Sequence, residues 1–420
     1  MNRSLYRMDW LTLLIYLLLV GFGLVNIYSA TFKGEATSLF NFSEPIGKQM
    51  LFFILSLISG TVLLFTQPKF FERFSSLLYA LTILLLLGLF VVGSERSGAR
   101  SWYGFGGISL QPSEFAKIAV ALAVAKLLTE IQINIKTFRS QLQIFFVIGL
   151  PMILILLQPD AGSALIFVAF LFVLLREGLS FIYFNVFSGL ILFFILTLIA
   201  PLPFVYISIF TAIIILYFFS KKLNKKASFW PYLLSIVLSC GYVYSVDYIF
   251  YEVFEQRHRD RFNIVLGKEV DTQGIGYNLN QSKIAIGSGG WNGKGFLQGT
   301  QTKGGFVPEQ HTDYIFSTVG EEWGFVGSAA LVLVFCILIL RILARAEIQK
   351  NKFSRVYAYG VASILFLHFF INIGMSIGIV PTIGIPLPFI SKGGSSLLAF
   401  SCMIAIYLNL DANRLNETTY

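Results

Sequence analysis

Long apolar runs separated by short polar hinges make up most of this 420-residue chain. A helix needs roughly 20 predominantly apolar residues to cross about 30 Å of hydrocarbon. On that scale the pattern predicts spans near 11–28, 50–65, 77–93, 113–128, 142–157, 161–175, 181–200, 205–219, 229–246, 313–342, 357–380 and 389–410, about twelve crossings. Membrane β-strands would instead alternate in and out over about ten residues, and no such alternation runs through the chain. The expected class is an all-α polytopic membrane protein. Arg3 and Arg7 precede the first run, which is longer than a signal-peptide core. It ends at Tyr28-Ser29-Ala30, with a bulky Tyr where a cleavage site wants a small residue, so it reads as an uncleaved span.

Charge then orients the spans. The chain is 56% hydrophobic and 13% charged with a net charge of +9, and its cations lie scattered along the hinges. They read as topology signals rather than as a nucleic-acid face. With the N-terminus inside, the inner side receives Arg3, Arg7, Lys69, Arg73, Lys126, Lys136, Arg139, Arg176, the basic run 221–226 and the segment 341–355. Both termini are then cytoplasmic. The outer side receives the loop 94–112, the turn 158–162, the entry at 312–313, the loop 381–396 and one large polar stretch, 247–311. That stretch is basic although it lies outside, which an anionic ligand would explain. Cys240, Cys336 and Cys402 fall in apolar runs without CxxC spacing, so neither a disulfide framework nor a thiolate metal site is indicated.

No nucleotide site emerges. A Walker-type reading of Gly293-Lys294 fails at Ser288 and Gly295, and a dinucleotide reading from Gly274 fails at Leu279. Chemistry on the outer face therefore needs a substrate that is already activated. Within the large loop, Asp271 precedes glycines that permit tight turning and has Arg257, Arg259, Arg261, Lys268 and Lys283 for neighbours. A lone loop carboxylate is usually just solvated, but one among so many cations suits a general base beside a phosphate-binding surface. A short helix is expected over 278–286.

Elsewhere, Glu114 and Lys117 share a helix face after Gln111-Pro112, as a cavity-lining pair or as a snorkelling pair at the interface. Thr312 is placed to cap a helix starting at Asp313, with Asp313, Ser317, Gly320, Glu321 and Gly324 on one stripe and Glu322 opposite. His311 with Glu309 and Asp313 is weak evidence for a metal. Arg100, Gln281, Lys294, Ser391 and Lys392 complete the polar candidates for a diphosphate. Trp102, Tyr103 and Trp291 suit sugar stacking, although interfacial aromatic belts account for most such residues.

The runs SGARSWYGFGGISLQPSEFAK, QPDAG, DTQGIGYNLNQSKIAIGSGGWNGKGFLQGTQ, FVPEQHTDYIFSTVGEEWGFVG and GIPLPFISKGGSS, in this order, resemble the SEDS family of cell-shape and division proteins. Their wording, QSKIAIGSGG followed by GKG and GTQ, is that of the RodA type. The resemblance covers nearly the whole chain as a single transmembrane domain, 1–420. It implies a peptidoglycan glycosyltransferase that polymerises lipid II on the outer face of the cytoplasmic membrane during cell elongation and shape maintenance. A class B penicillin-binding protein transpeptidase and other elongation-complex membrane proteins are the implied partners, and no nucleic acid.

The acidic residue of the family's DPxGxGY pattern maps onto Asp271, with Thr272 in place of Pro. The Glu and Lys of QPSExxK map onto Glu114 and Lys117, and Ala161 replaces the usual Leu of the QPDxG turn. A family core of about ten spans is exceeded here, because 181–246 reads as three crossings where one is expected, an inserted helical hairpin. No cofactor is required beyond an optional magnesium or manganese ion on the diphosphate. Two other functions fit a polytopic helical chain. One is a flippase for the lipid-linked precursor, which should carry polar residues at both faces; the other is a scaffold for the transpeptidase, which should tolerate loss of Asp271.

Overall fold

The computed structural model describes residues 8–32, 41–96, 98–105, 108–223, 228–268 and 275–414, and it places helix at every predicted apolar run. In chain order these are α1 (Trp10–Thr31), α2 (Pro45–Phe65), α3 (Pro68–Val92), α4 (Pro112–Thr129) and α5 (Phe138–Leu156). Next come α6 (Ala161–Leu165), which passes through a 3-10 turn into α7 (Ala169–Arg176), and then α8 (Phe181–Ile199), α9 (Leu202–Leu223) and α10 (Trp230–Tyr248). The remainder are α11 (Gln256–Val265), α12 (Ile275–Ser288), α13 (Thr300–Lys303), α14 (Ile315–Glu347), α15 (Lys352–Ile377) and α16 (Gly394–Ala412).

Among the described residues, 10 helices are long and apolar enough to cross a membrane. The other two predicted crossings depart for physical reasons. Helix α4 carries Glu114, Lys117 and Lys126 in its 18 residues, and Ala161–Arg176 is interrupted by the 3-10 turn. Between α3 and α4 the chain forms a small antiparallel sheet of three strands, β1 (Ser94–Arg96), β2 (Ala99–Phe105) and β3 (Ile108–Leu110), which apolar periodicity did not predict. In it Ser94 faces Trp102, and Tyr103 faces Leu110.

The chain divides into two compact units, Met1–Leu179 with Tyr277–Tyr420, and Ser180–Gly276. In the first, α16, α15 and α4 are buried along most of their length, while α2, α3 and α5 turn apolar faces outward. Helix α2 packs on α16, α4 lies against both α3 and α15, and α14 lies against α1 and α15. Small side chains permit the central contact: Ala116, Ala119, Ala121 and Ala125 of α4 are buried, and a Cβ on Gly360 of α15 would stand 3.4 Å from that of Ala121. Lipid gives helices little hydrophobic reason to associate, so close backbone approach through small residues supplies the packing.

One end of this unit is tied by ion pairs. Arg341 binds Asp9 at 2.6 Å and Arg345 binds Asp411, which also accepts from Gln349 Nε2 at 2.8 Å. Arg355 pairs with Glu177 at 3.0 Å and Arg176 with Glu347 at 2.5 Å. Asn409 Nδ2 donates to the carbonyls of Leu63, Leu64 and Thr66, which fixes the α2–α3 turn at this same end.

In the second unit, Val205, Ile209 and Val243 form the core between α9 and α10, with Phe193 and Leu196 of α8 against it. Tyr242 donates to the Leu190 carbonyl at 3.1 Å, and Phe262 of α11 packs on Phe194 and Phe250.

Candidate active site

The site is built around an irregular segment that the fold buries. Gly378, with φ 81°, ends α15 in a left-handed cap, and in the stretch before α16 the side chains of Ile385, Leu387, Phe389 and Ile390 are buried. Non-helical backbone surrounded by a membrane bundle must find its hydrogen bonds within the protein. Here Asn372 Nδ2 donates to the carbonyls of Ile385 and Asp313, Ser391 Oγ accepts from Leu387 N–H, and Gln49 Oε1 accepts from Gly393 N–H. Glycines let the segment in. A Cβ on Gly162 would come within 2.7 Å of the Ile383 carbonyl, and one on Gly23 within 2.7 Å of Ile390 Cα. Phe389 holds a φ of 67°, a costly value for a bulky residue, while its ring packs against Tyr16 and Phe400.

Beneath this segment lies a buried charged group. Lys117 Nζ sits 2.8 Å from Glu114 Oε2 and 2.9 Å from His368 Nε2, with the lysine and glutamate side chains 1% and 3% exposed. The ammonium has no lone pair, so His368 Nε2 accepts and Nδ1–H donates to the Pro386 carbonyl at 3.2 Å. The ammonium also stands 4.9 Å from the centre of the Phe400 ring. Each donor of the lysine is thereby directed, and the set is held against the buried loop.

A neighbouring network continues from the same helix start. Ser395 Oγ accepts from Gln111 N–H at 3.1 Å and donates to the Ser109 carbonyl at 3.0 Å. Gln111 Nε2 donates to Asp160 Oδ2 at 3.0 Å, and Asp160 caps α6 by accepting from Ser163 N–H. The QPS and QPD turns, distant in sequence, are therefore cross-linked at the start of two helices.

His311 and Lys392 form the more accessible part. Lys392 N–H donates to the His311 carbonyl at 2.8 Å. Burial lowers the Lys392 pKa, Lys48 lowers it further, and Glu309 opposes both. Burial, with Lys392 nearby, also holds His311 below its ordinary value of 6.5. Because the unfolded chain takes up this proton more readily than the folded one, stability contributed by neutral His311 is present above 6.5 and is lost as pH falls from there towards the lower folded value. Thermal unfolding in detergent should show this as a slope of at most about 1.4 kcal/mol per pH unit that His311→Gln removes. Equal slopes for both proteins would contradict it.

Several other candidates have partners within the fold or stand apart from this loop. Lys294 Nζ binds Glu321 Oε1 at 2.7 Å, and the same carboxylate accepts from the main-chain N–H groups of Gln301 and Thr302, which closes the glycine-rich loop onto α14. Glu322 points the opposite way and bonds Ser29 of α1, as the stripe predicted. The stripe begins later than expected. Thr312 bonds Glu309 instead of capping, and α14 starts at Ile315 and bends at Gly324, whose φ is 65°. Lys283 is exposed and runs over Gly378; Gln281 is half-buried; Arg100 is exposed, with its N–H on the Gln158 carbonyl. Trp291 packs on Phe325, ring centres 5.0 Å apart.

Arg259 and Arg261 belong to the second unit, where Arg259 donates to the Tyr251 carbonyl at 2.6 Å. Asp271 lies outside the described residues. Among the described residues no three His, Cys, Asp or Glu side chains converge on a metal position, His311, Glu309 and Asp313 included. His368 and Asn372 are the residues sequence reasoning missed. The signal was available for His368, since an ionisable side chain in an apolar span is a functional candidate by default.

This arrangement occurs in a recognisable context. A family model described as cell cycle protein, FTSW_RODA_SPOVE, matches residues 9–217 and 205–416. The chain belongs to this SEDS family. It is 32% identical over 409 residues to peptidoglycan glycosyltransferase MrdB of Escherichia coli K12, covering 97% of this chain and 94% of that protein. It is 33% identical to peptidoglycan glycosyltransferase RodA of Treponema pallidum, covering 98% and 99%. The SEDS fold is shared with a solved chain of a peptidoglycan synthase complex, at TM-score 0.69 and 24% identity over 98% of this chain and 99% of that one. It is also shared with the rod shape determining protein RodA of Thermus thermophilus, at TM-score 0.62 and 22% identity over 97% of each chain.

Proposed function

We propose that this SEDS chain is a peptidoglycan glycosyltransferase that polymerises lipid II into glycan strands during cell elongation and shape maintenance. The observation that carries the reading is the polar group at one end of the first unit. A charge-paired Glu114–Lys117–His368 set supports a buried loop, and that loop presents Lys392 next to His311. Such a site suits a substrate with an anionic head group and a chain that stays in the bilayer.

A polyprenyl diphosphate leaving group makes nucleotide activation unnecessary. In this mechanism Asp271 removes the proton of the acceptor GlcNAc C4 hydroxyl as that oxygen attacks the anomeric carbon of the donor MurNAc. The bond to diphosphate breaks, the centre inverts, and the departing charge is met by Lys392, with Lys117 holding the floor of the site in one electrostatic state. Sequence assigns Arg259 and Arg261 the same charge-stabilising role. One displacement needs no second carboxylate of the kind glycosidases use.

The cation distribution supports a site on the outer face of the cytoplasmic membrane with both termini inside. The family resemblance implies a class B penicillin-binding protein as partner, and likeness to a chain of a peptidoglycan synthase complex supports an assembly of that kind. Reconstituted with that partner in vesicles containing lipid II, the full-length protein is expected to yield glycan strands resolvable on a gel. Movement of lipid II between leaflets without strand formation would replace the transferase by a transporter.

A further inference from the structure

A polar cavity lies at the ion-paired end of the first unit, where the α2–α3 turn meets the end of α4. It measures about 610 Å³ and is lined by Lys69, Arg73 and Lys126, by the single carboxylate Glu72, and by Phe70 and Phe74. Helical spacing explains the wall: residues 69, 70, 73 and 74 share one side of the first turns of α3. The two rings lie tilted by 39° with centres 4.7 Å apart, and the Arg73 guanidinium stands 5.9 Å from the Phe74 ring centre. Lys126 crosses from α4 and is placed by a 3.1 Å hydrogen bond to Ser76.

What separates this cluster from its surroundings is the absence of internal neutralisation. At this end of the unit Arg176, Arg341, Arg345, Arg355 and Arg414 are each paired with a carboxylate. Among the described residues no ion pair joins Lys69, Arg73 or Lys126 to one, although all three line a single cavity with a formal excess of two positive charges over Glu72. Next to the cavity, Phe65 and Leu77 are 54% and 62% exposed, which is an apolar surface of the kind acyl chains cover.

We propose that this cavity binds the phosphate of an anionic phospholipid. The guanidinium fork and two ammonium groups receive the phosphate oxygens, the Phe70 and Phe74 rings flank the glycerol, and the acyl chains lie along α2 and α3. The proposal is independent of the glycosyltransferase reading, because none of these residues belongs to the site described above.

Native mass spectrometry of the full-length protein titrated with phosphatidylglycerol or phosphatidylcholine tests it. Wild type is expected to retain phosphatidylglycerol in preference. Combining Lys69→Gln, Arg73→Gln and Lys126→Gln should weaken retention about a hundredfold, at roughly fivefold per cation. Glu72→Gln, which removes the one opposing charge, should tighten it severalfold, and it decides the matter if the combined variant fails to fold. Undiminished retention by a folded combined variant, no tightening in Glu72→Gln, or equal retention of phosphatidylcholine would each overturn the proposal. Displacement by inorganic phosphate at equal concentration would assign the cavity to the free ion and overturn the lipid.

Discussion

Replacing Glu114 by alanine is expected to destabilise the folded protein by about 3–5 kcal/mol, because it leaves the Lys117 ammonium buried without its counter-charge. Asp160 acts on the ammonium only through space, without a hydrogen bond to it, and the groups in contact cannot supply a negative charge. His368 already accepts from the ammonium and is held by the Pro386 carbonyl, and Phe400 offers only the face of a ring. Relaxation is limited by the tight packing of α4 on α15 at Ala121 and Gly360. Pairing Glu114→Ala with Lys117→Met removes both charges and should restore most of the loss, so a double-mutant cycle read by thermal unfolding should show strong coupling. Additive losses would mean that the pair does not act as a unit. The restored double variant should still polymerise poorly, since it lacks the polar floor beneath the loop that carries Lys392.

Sequence gave the membrane helices readily, because apolar length is a local property. It located their ends less well. The entry to α14 slipped from Asp313 to Ile315 because Thr312 turns back to Glu309, a preference that competes with capping and is decided by the surrounding loop. The segment before α16 read as a surface loop, since its prolines and glycines are the residues of exposed turns. Its burial depends on Gln49, Asn372 and the bare backbones of Gly23 and Gly162, which come from four other parts of the chain. Pairing of Glu114 with Lys117 was visible at helical spacing, but their third partner His368 stands 251 residues away. Sequence marks Lys294 as a cation of the glycine-rich loop and Glu321 as a member of a polar helix stripe, and neither reading shows that the two meet. The fold pairs them with each other and spends the carboxylate on two main-chain donors.

The largest expected effect on turnover is that of Asp271→Asn. The substitution keeps size and hydrogen-bonding capacity and removes the base, so strand synthesis should fall by roughly 10²- to 10⁴-fold while the fold is retained. Asp271→Ala should be no better. Loss of a merely solvated carboxylate would leave the rate within a few fold, and a scaffold would tolerate either change.

The decisive measurement is polymerisation of labelled lipid II by the purified protein together with a class B penicillin-binding protein, wild type against Asp271→Asn at matched folding. Glycan strands from wild type and almost none from the variant are the predicted result. Strands from the Asn variant at the wild-type rate would contradict the general-base mechanism, and no strands from wild type with its partner present would contradict the glycosyltransferase itself.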